Sequence, residues 1–283
     1  PRVRRQRQMC IRDRGYVWSV VNVMTGDRFF FYEHGSRSTR VAMGLLKDFT
    51  GAIQSDGYIV YEHFEGMEGK KLLGCWAHAR RKFFEAKVEN EKLALEALSY
   101  IRRLYDVEAE ADALDAADNK PDHERRKALR QEKAYPEIKK FETWMEASIL
   151  KCPPKSLMEE AISYTYKILK KLSLYVTDGR YKIDDNMVEN SIRPLAIGRK
   201  NYLFCGDDDA AQRAAVVYSL LATCKARGVN ERACLRMSCA GSRNTNRQGK
   251  TTQTFFPQTG APCPQSNSNQ YHTPIKRLQP ASH

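Results

Sequence analysis

Apolar positions recur along this chain in two rhythms, and the change from one to the other divides it into parts. From Gly15 the rhythm is that of extended chain. Tyr16, Val17, Trp18, Val20, Val21 and Val23 are β-formers that stop at the turn Thr25-Gly26-Asp27, and Phe29, Phe30, Phe31 and Tyr32 make a second run. Residues 16–32 therefore predict a hairpin. Ser36 or Ser38 can cap a helix running through Leu45, Leu46 and Phe49. Gly51 to Ser55 predicts a short strand that delivers Asp56 at its carboxyl end, and Leu72 to Trp76 a second apolar element leading into a helix through Arg80, Phe83, Phe84 and Val88. Over residues 91–175 the period becomes helical, with Leu93, Ala97, Ile101 and Leu104 on one face, and a further helix is expected from Ser156 through Ile162, Leu169 and Leu172 after Pro153-Pro154. The stretch Val107 to Lys133, dense in charges of both signs, predicts a solvated helical face or hairpin. Asp178-Gly179 marks a turn, Asp184 to Ile197 a helix, and Asp207-Asp208-Asp209 opens another that Gly228 ends. After about residue 232 periodicity stops in a stretch rich in Ser, Asn, Gln, Thr and Pro, which is expected to be disordered.

Composition narrows the class. The chain of 283 residues is long enough to bury a real core, and no apolar run approaches the length of a membrane span. Residues 1–14 are arginine-rich with no apolar stretch behind them, so no signal peptide is expected there. Eight irregularly spaced cysteines do not form a disulfide framework, and a reducing, cytoplasmic location is expected. The net charge of +13 belongs to the two ends: residues 1–14 carry +5, residues 232–283 carry +7, and the 217 residues between them only +1. Any attraction to DNA must then come from local basic clusters and not from the charge of the body.

Four segments carry candidate chemistry. In Gln54-Ser55-Asp56-Gly57-Tyr58 the Asp56 side chain leaves the end of a strand, although an Asp-Gly pair there also suits a plain turn. In Asp184-Asp185-Asn186-Met187-Val188-Glu189-Asn190-Ser191-Ile192-Arg193-Pro194, Glu189 and Arg193 share a helical face, as a metal-binding carboxylate beside a phosphate-binding guanidinium would. Asn186 and Glu189 equally have the spacing of a capping box. Cys75-Trp76-Ala77-His78 precedes the basic triplet Arg80, Arg81 and Lys82; its C-x-x-H spacing is that of half a zinc site, with no second pair to match. Arg193 to Phe204, with Arg199 and Lys200, mixes cations and aromatics as phosphate-backbone contacts do.

In order and spacing these segments resemble the transposases of the insertion-sequence 66 family over about residues 15–231, most specifically from Asn186 to Gly206. The resemblance implies an α/β, ribonuclease H-like mixed sheet with a mainly helical insertion. It implies a core over residues 15–90 and 176–231, the insertion being residues 91–175. It also implies that Asp56 is the second Asp and Glu189 the Glu of a DDE triad, both catalytic and both metal ligands. Cys75 and His78, matching the C/D-x-x-H signature, would support them from behind. Arg80, Arg81, Lys82, Arg193, Arg199 and Lys200 would contact DNA. The implied cofactor is a pair of Mg²⁺ (or Mn²⁺) ions, which activate the attacking hydroxyl and stabilise the leaving oxygen at phosphorus. The implied partners are DNA, as element ends and target, with self-association in a DNA complex and no membrane.

Two departures from the family pattern shape the expectation. Its first Asp belongs on a strand upstream of Gly15, and nothing in residues 1–14 matches that strand; Asp13 lies between two arginines directly before the next one. Residues 1–14 are unassigned and look foreign, and residues 232–283, with no Asp or Glu, read as a disordered or frameshifted tail. The fold is therefore expected to be truncated at its first strand and the chain itself to be inactive. The competing classes are a non-catalytic DNA-binding protein and another ribonuclease H-like nuclease.

Overall fold

A computed structural model describes the backbone of residues 15–202, 205–236 and 276–280, and the side chains of residues 15–198 and 205–236. These form a mixed α/β structure, mostly helical with small sheets, in two compact units. None of the helices among the described residues is long and apolar enough to cross a membrane.

The first unit contains residues 15–37 and 191–236. The expected hairpin is there: β1 (Val17–Asn22) pairs antiparallel with β2 (Arg28–Tyr32), and Gly26 takes the positive φ of 74° that the turn requires. Helix α8 (Asp208–Ala226) lies along β2. Its Ser219 and Thr223 hydroxyls, one turn apart, accept from the amides of Phe30 (2.7 Å) and Arg28 (3.1 Å). Side chains of a helix thus take up backbone donors of a strand, which is one way of covering a sheet edge. The ends of α8 are fastened too. Asp208 accepts from the Tyr32 hydroxyl at 2.7 Å, and Arg227 pairs with Asp27 at 2.8 Å. Phe30, Leu195, Ala215 and Ala222 form the buried centre of this unit. As expected, Asp207 caps α8 by accepting from the Ala210 amide.

The second unit contains residues 38–190 with 276–279. After α1 (Thr39–Leu45), strands β3 (Gly51–Gln54) and β4 (Lys70–Leu73) pair in parallel, Gln54 opposite Leu73. A further strand, β5 (Lys276–Pro280), pairs in parallel with β3. Residues 231–236 are helical. Residues 1–14 and 237–275 lie outside the described residues, as do the expectations that fall on them.

Helix α2 (Trp76–Glu85) leads to the helical region: α3 (Glu91–Ala117), α4 (His123–Leu129), α5 (Tyr135–Ile149) and α6 (Leu157–Ser173). Ser156 caps α6 through the Glu159 amide, as its place before the apolar run predicts. Trp76, Phe83, Tyr100, Phe141 and Trp144 gather α2, α3 and α5 around one aromatic centre, with ring centroids 5.3–6.4 Å apart.

The charged stretch Val107 to Lys133 does form a helical hairpin, but part of it is not solvated. Arg130 is completely buried, and Glu108 and Arg126 nearly so. A π-helical turn over Arg130–Ala134 sits between α4 and α5. From it Arg130 donates to both oxygens of Glu108 at 2.7 Å and to the carbonyls of Tyr175, Asp178 and Tyr181 at 2.8–2.9 Å. A fork of five donors suits this arrangement, and it ties the helical region to the segment that leads into α7 (Asn186–Tyr202).

Candidate functional site

The site grows from the ends of β3 and β4. Gln54, the last residue of β3, is buried and donates through Nε2 to two carbonyls, Gly74 at 3.0 Å and Lys182 at 2.8 Å. The Trp76 amide donates to the Ile183 carbonyl at 3.2 Å. Three pieces of chain far apart in sequence, residues 54–56, 74–78 and 182–189, are thereby stitched together at the strand ends. No periodicity in the sequence announces this. Gly74 is needed here: an added Cβ would come within 2.9 Å of Leu172 on α6.

Asp56 follows β3 and lies partly exposed. Its Oδ1 accepts from the Tyr58 amide at 3.1 Å, and Gly57 carries a φ of 83°. The bland reading of Asp-Gly as a turn thus holds, and it also aims the carboxylate. Tyr164 of α6 stands beside it. Its phenol is pushed up to about 12 by burial first, and then by the neighbouring Cys75, Asp56 and Glu62. The Lys82 ammonium lies 4.9 Å above the Tyr164 ring.

Glu189 lies in the first turn of α7. The capping-box alternative does not describe it: α7 starts at Asn186, whose amide is taken by Asp184 Oδ1 at 3.2 Å. Glu189 instead faces α2, with Oε1 3.9 Å from His78 Nε2 and 3.7 Å from Arg81 Nη2. Behind His78 is Asp185, completely buried, with Oδ1 3.5 Å from His78 Nδ1 and accepting from the Cys75 thiol at 3.0 Å. His78 therefore lies between two carboxylates, one at each ring nitrogen. Neighbouring Asp184 accepts from Tyr105 of α3 at 3.0 Å; burial, then the Asp184 charge, raises this phenol far above its ordinary range.

The six basic residues separate on inspection. Consecutive helical residues point about 100° apart, so Arg80, Arg81 and Lys82 diverge. Arg81 turns to Glu189, Lys82 to Tyr164, and Arg80 is exposed. Arg193 is exposed four residues beyond Glu189 on α7, in the part of that helix belonging to the first unit. The side chains of Arg199 and Lys200 lie outside the described residues. Sequence reasoning missed Asp185, Gln54, Tyr164 and Tyr105. Asp185 stood in the quoted motif, but nothing in its spacing distinguishes it from Asp184; only the fold decides which of the two is buried.

The family described as "Transposase IS66 family" matches residues 4–213. Three proteins of Sinorhizobium fredii (strain NBRC 101917 / NGR234) are similar. "Uncharacterized protein y4qI" is 36% identical over 70% of this chain and 37% of its own length. "Uncharacterized protein y4jD" is 31% identical over 71% of the chain and 39% of its own length. "Uncharacterized protein y4hP" is 29% identical over 72% and 39%. The chain thus spans about two-fifths of the length of these relatives. No solved structure matches it. A match over residues 4–213 that takes in the Asp56, Cys75-to-Lys82 and Glu189-to-Arg193 segments places the chain in the IS66 family of transposases.

Proposed function

We propose that this chain carries part of a DDE-type catalytic domain of ribonuclease H-like architecture, with Asp56 and Glu189 as two of its metal-binding carboxylates. The observation that carries the reading is Gln54, two residues before Asp56, whose Nε2 donates to the Gly74 carbonyl and to that of Lys182, seven residues before Glu189. Parallel β3 and β4 with a carboxylate just beyond the strand end fit that architecture. Both carboxylates are partly exposed and offer oxygen ligands, which suits a hard ion such as Mg²⁺ or Mn²⁺ that keeps several of its waters. When bound, such ions supply charge stabilisation at a phosphate under attack.

The remaining groups have roles of their own. The Asp56 turn fixes its carboxylate through the Tyr58 amide, and Glu189 is held between the His78 ring and the Arg81 guanidinium. Cys75 and His78 act as positioning residues, through Asp185 and Glu189. Arg80, Arg193, Arg199 and Lys200 are assigned to the phosphate backbone of DNA, Arg81 and Lys82 to the site itself.

The test combines binding and cleavage. Mn²⁺ titration of the whole chain should show saturable binding that Asp56→Ala and Glu189→Gln each weaken by about tenfold or more, by analogy with losses from the support of metal ligands. Binding unchanged in both variants would remove the assignment and favour a non-catalytic DNA-binding role. A nicking assay on an element end, with Mg²⁺ or Mn²⁺, tests the chemistry: any metal-dependent nicking should be abolished by Asp56→Ala, and nicking that survives this substitution would remove Asp56 from the site.

A further inference from the structure

We propose that Cys75, His78 and Asp185 form a second metal site, one for zinc or a similar transition-metal ion and chemically distinct from a magnesium centre. Sequence reasoning sees half of such a site, a Cys-x-x-His pair. The fold supplies a third ligand from 107 residues beyond His78. The thiol sulfur, one imidazole nitrogen and one carboxylate oxygen lie within 4.8 Å of one another. The separations are 3.0 Å from Cys75 Sγ to Asp185 Oδ1 and 3.5 Å from His78 Nδ1 to the same oxygen. Ligand atoms around a tetrahedral zinc stand roughly 3.5 Å apart, given Zn–S near 2.3 Å and Zn–N near 2.0 Å, so small adjustments would admit the ion.

The chemistry of the donors discriminates between metals. A thiolate and an imidazole favour zinc over Mg²⁺, which prefers oxygen and retains its waters. On binding, the Cys75 thiol gives its proton to solvent, and thiolate, carboxylate and a divalent ion sum to zero around a neutral His78. Three protein ligands leave a fourth position for water, and the part-exposed His78 marks the side from which an ion enters.

Ligation through Nδ1 has a second effect, which rests on the function proposed above. It leaves the proton of the neutral ring on Nε2, the nitrogen that faces Glu189. The ion would then pin the start of α2 to the residues before α7 and orient Glu189 through the ring.

The test uses the whole chain, loaded with zinc and dialysed. About one zinc per chain should remain, and X-ray absorption at the zinc edge should show one sulfur among nitrogen and oxygen ligands. Cobalt substitution should produce a thiolate charge-transfer band in the near ultraviolet. Cys75→Ser should abolish that band, and His78→Gln and Asp185→Asn should lose the retained ion. Asp56→Ala should keep the zinc while losing Mn²⁺ at the other centre, so the two readings fail separately. No retained zinc in the unaltered chain overturns the site. So does a first shell with two or more sulfurs, which would place the ion at other cysteines, or a band that survives Cys75→Ser. The absorption spectrum of the unaltered chain keeps the test decisive if a variant fails to fold.

Discussion

Arg130 illustrates how a residue that looks like surface charge becomes structural. Its guanidinium is fully buried against Glu108 and three carbonyls, so truncation leaves three carbonyls without this donor and Glu108 with Arg126 as its remaining cation. Arg130→Ala should lower stability by about 3–5 kcal/mol, the range for breaking a buried pair, read from urea unfolding. A loss under about 1 kcal/mol would mean that water reaches the cluster. The neighbouring Asp115 makes a prediction in pH. Burial opposes its ionisation, but hydrogen bonds from Arg126, the Asp122 amide and Arg125 prevail and hold it at about 2, below its ordinary 3.8. A depressed carboxylate contributes stability that is present above the ordinary value and lost as pH falls through the folded one. The chain should therefore lose stability between about pH 4 and pH 2, and Asp115→Asn should flatten that part of the curve while lowering stability at neutral pH. Equal slopes for both proteins would show that Asp115 contributes nothing to it.

Between elements, glycines mark where backbones meet. Gly179 abuts the start of α4: an added Cβ would lie 1.9 Å from the His123 carbonyl oxygen, and a backbone atom cannot swing aside. Gly179→Ala should destabilise by about 1–3 kcal/mol or more through overpacking. Gly44 is the contrasting position, in α1 with nothing within 4 Å of the added carbon. Gly44→Ala should stabilise by about 0.5–1 kcal/mol from helix propensity alone. Thermal unfolding of the two variants should therefore move in opposite directions, and a common direction would put the α4 contact in doubt. At this scale much was legible in the sequence. The hairpin of β1 and β2, the cap of α6 at Ser156 and the start of α8 at Asp207 follow from alternation and cap chemistry. The π-helical turn at Arg130 was not legible, because its cause is the distant set of carbonyls that the guanidinium reaches.

At the scale of the whole molecule, charge is the first quantity to test. The net charge of +13 sits almost entirely in residues 1–14 and 232–283. If the chain binds DNA as proposed above, that binding should weaken steeply with salt, and each phosphate contact removed should flatten the log–log slope by about 0.9. Arg80→Gln and Arg193→Gln, both at exposed positions, should each lower the slope by about that amount if they reach phosphate. An unchanged slope in both variants would assign the affinity to the charged ends.

The sequence by itself determined the hydrophobic rhythm, hence most helices and strands, and the four motifs by which the chain is placed among IS66 transposases. These are local properties, written in neighbouring residues. Tertiary structure alone decided that Gln54 joins Gly74 to Lys182, that Asp185 and not Asp184 is buried behind His78, and that Glu189 faces Arg81. The reason is physical: burial and hydrogen-bond pairing depend on what packs across the gap, and residues more than a hundred positions apart become neighbours only when the chain has folded.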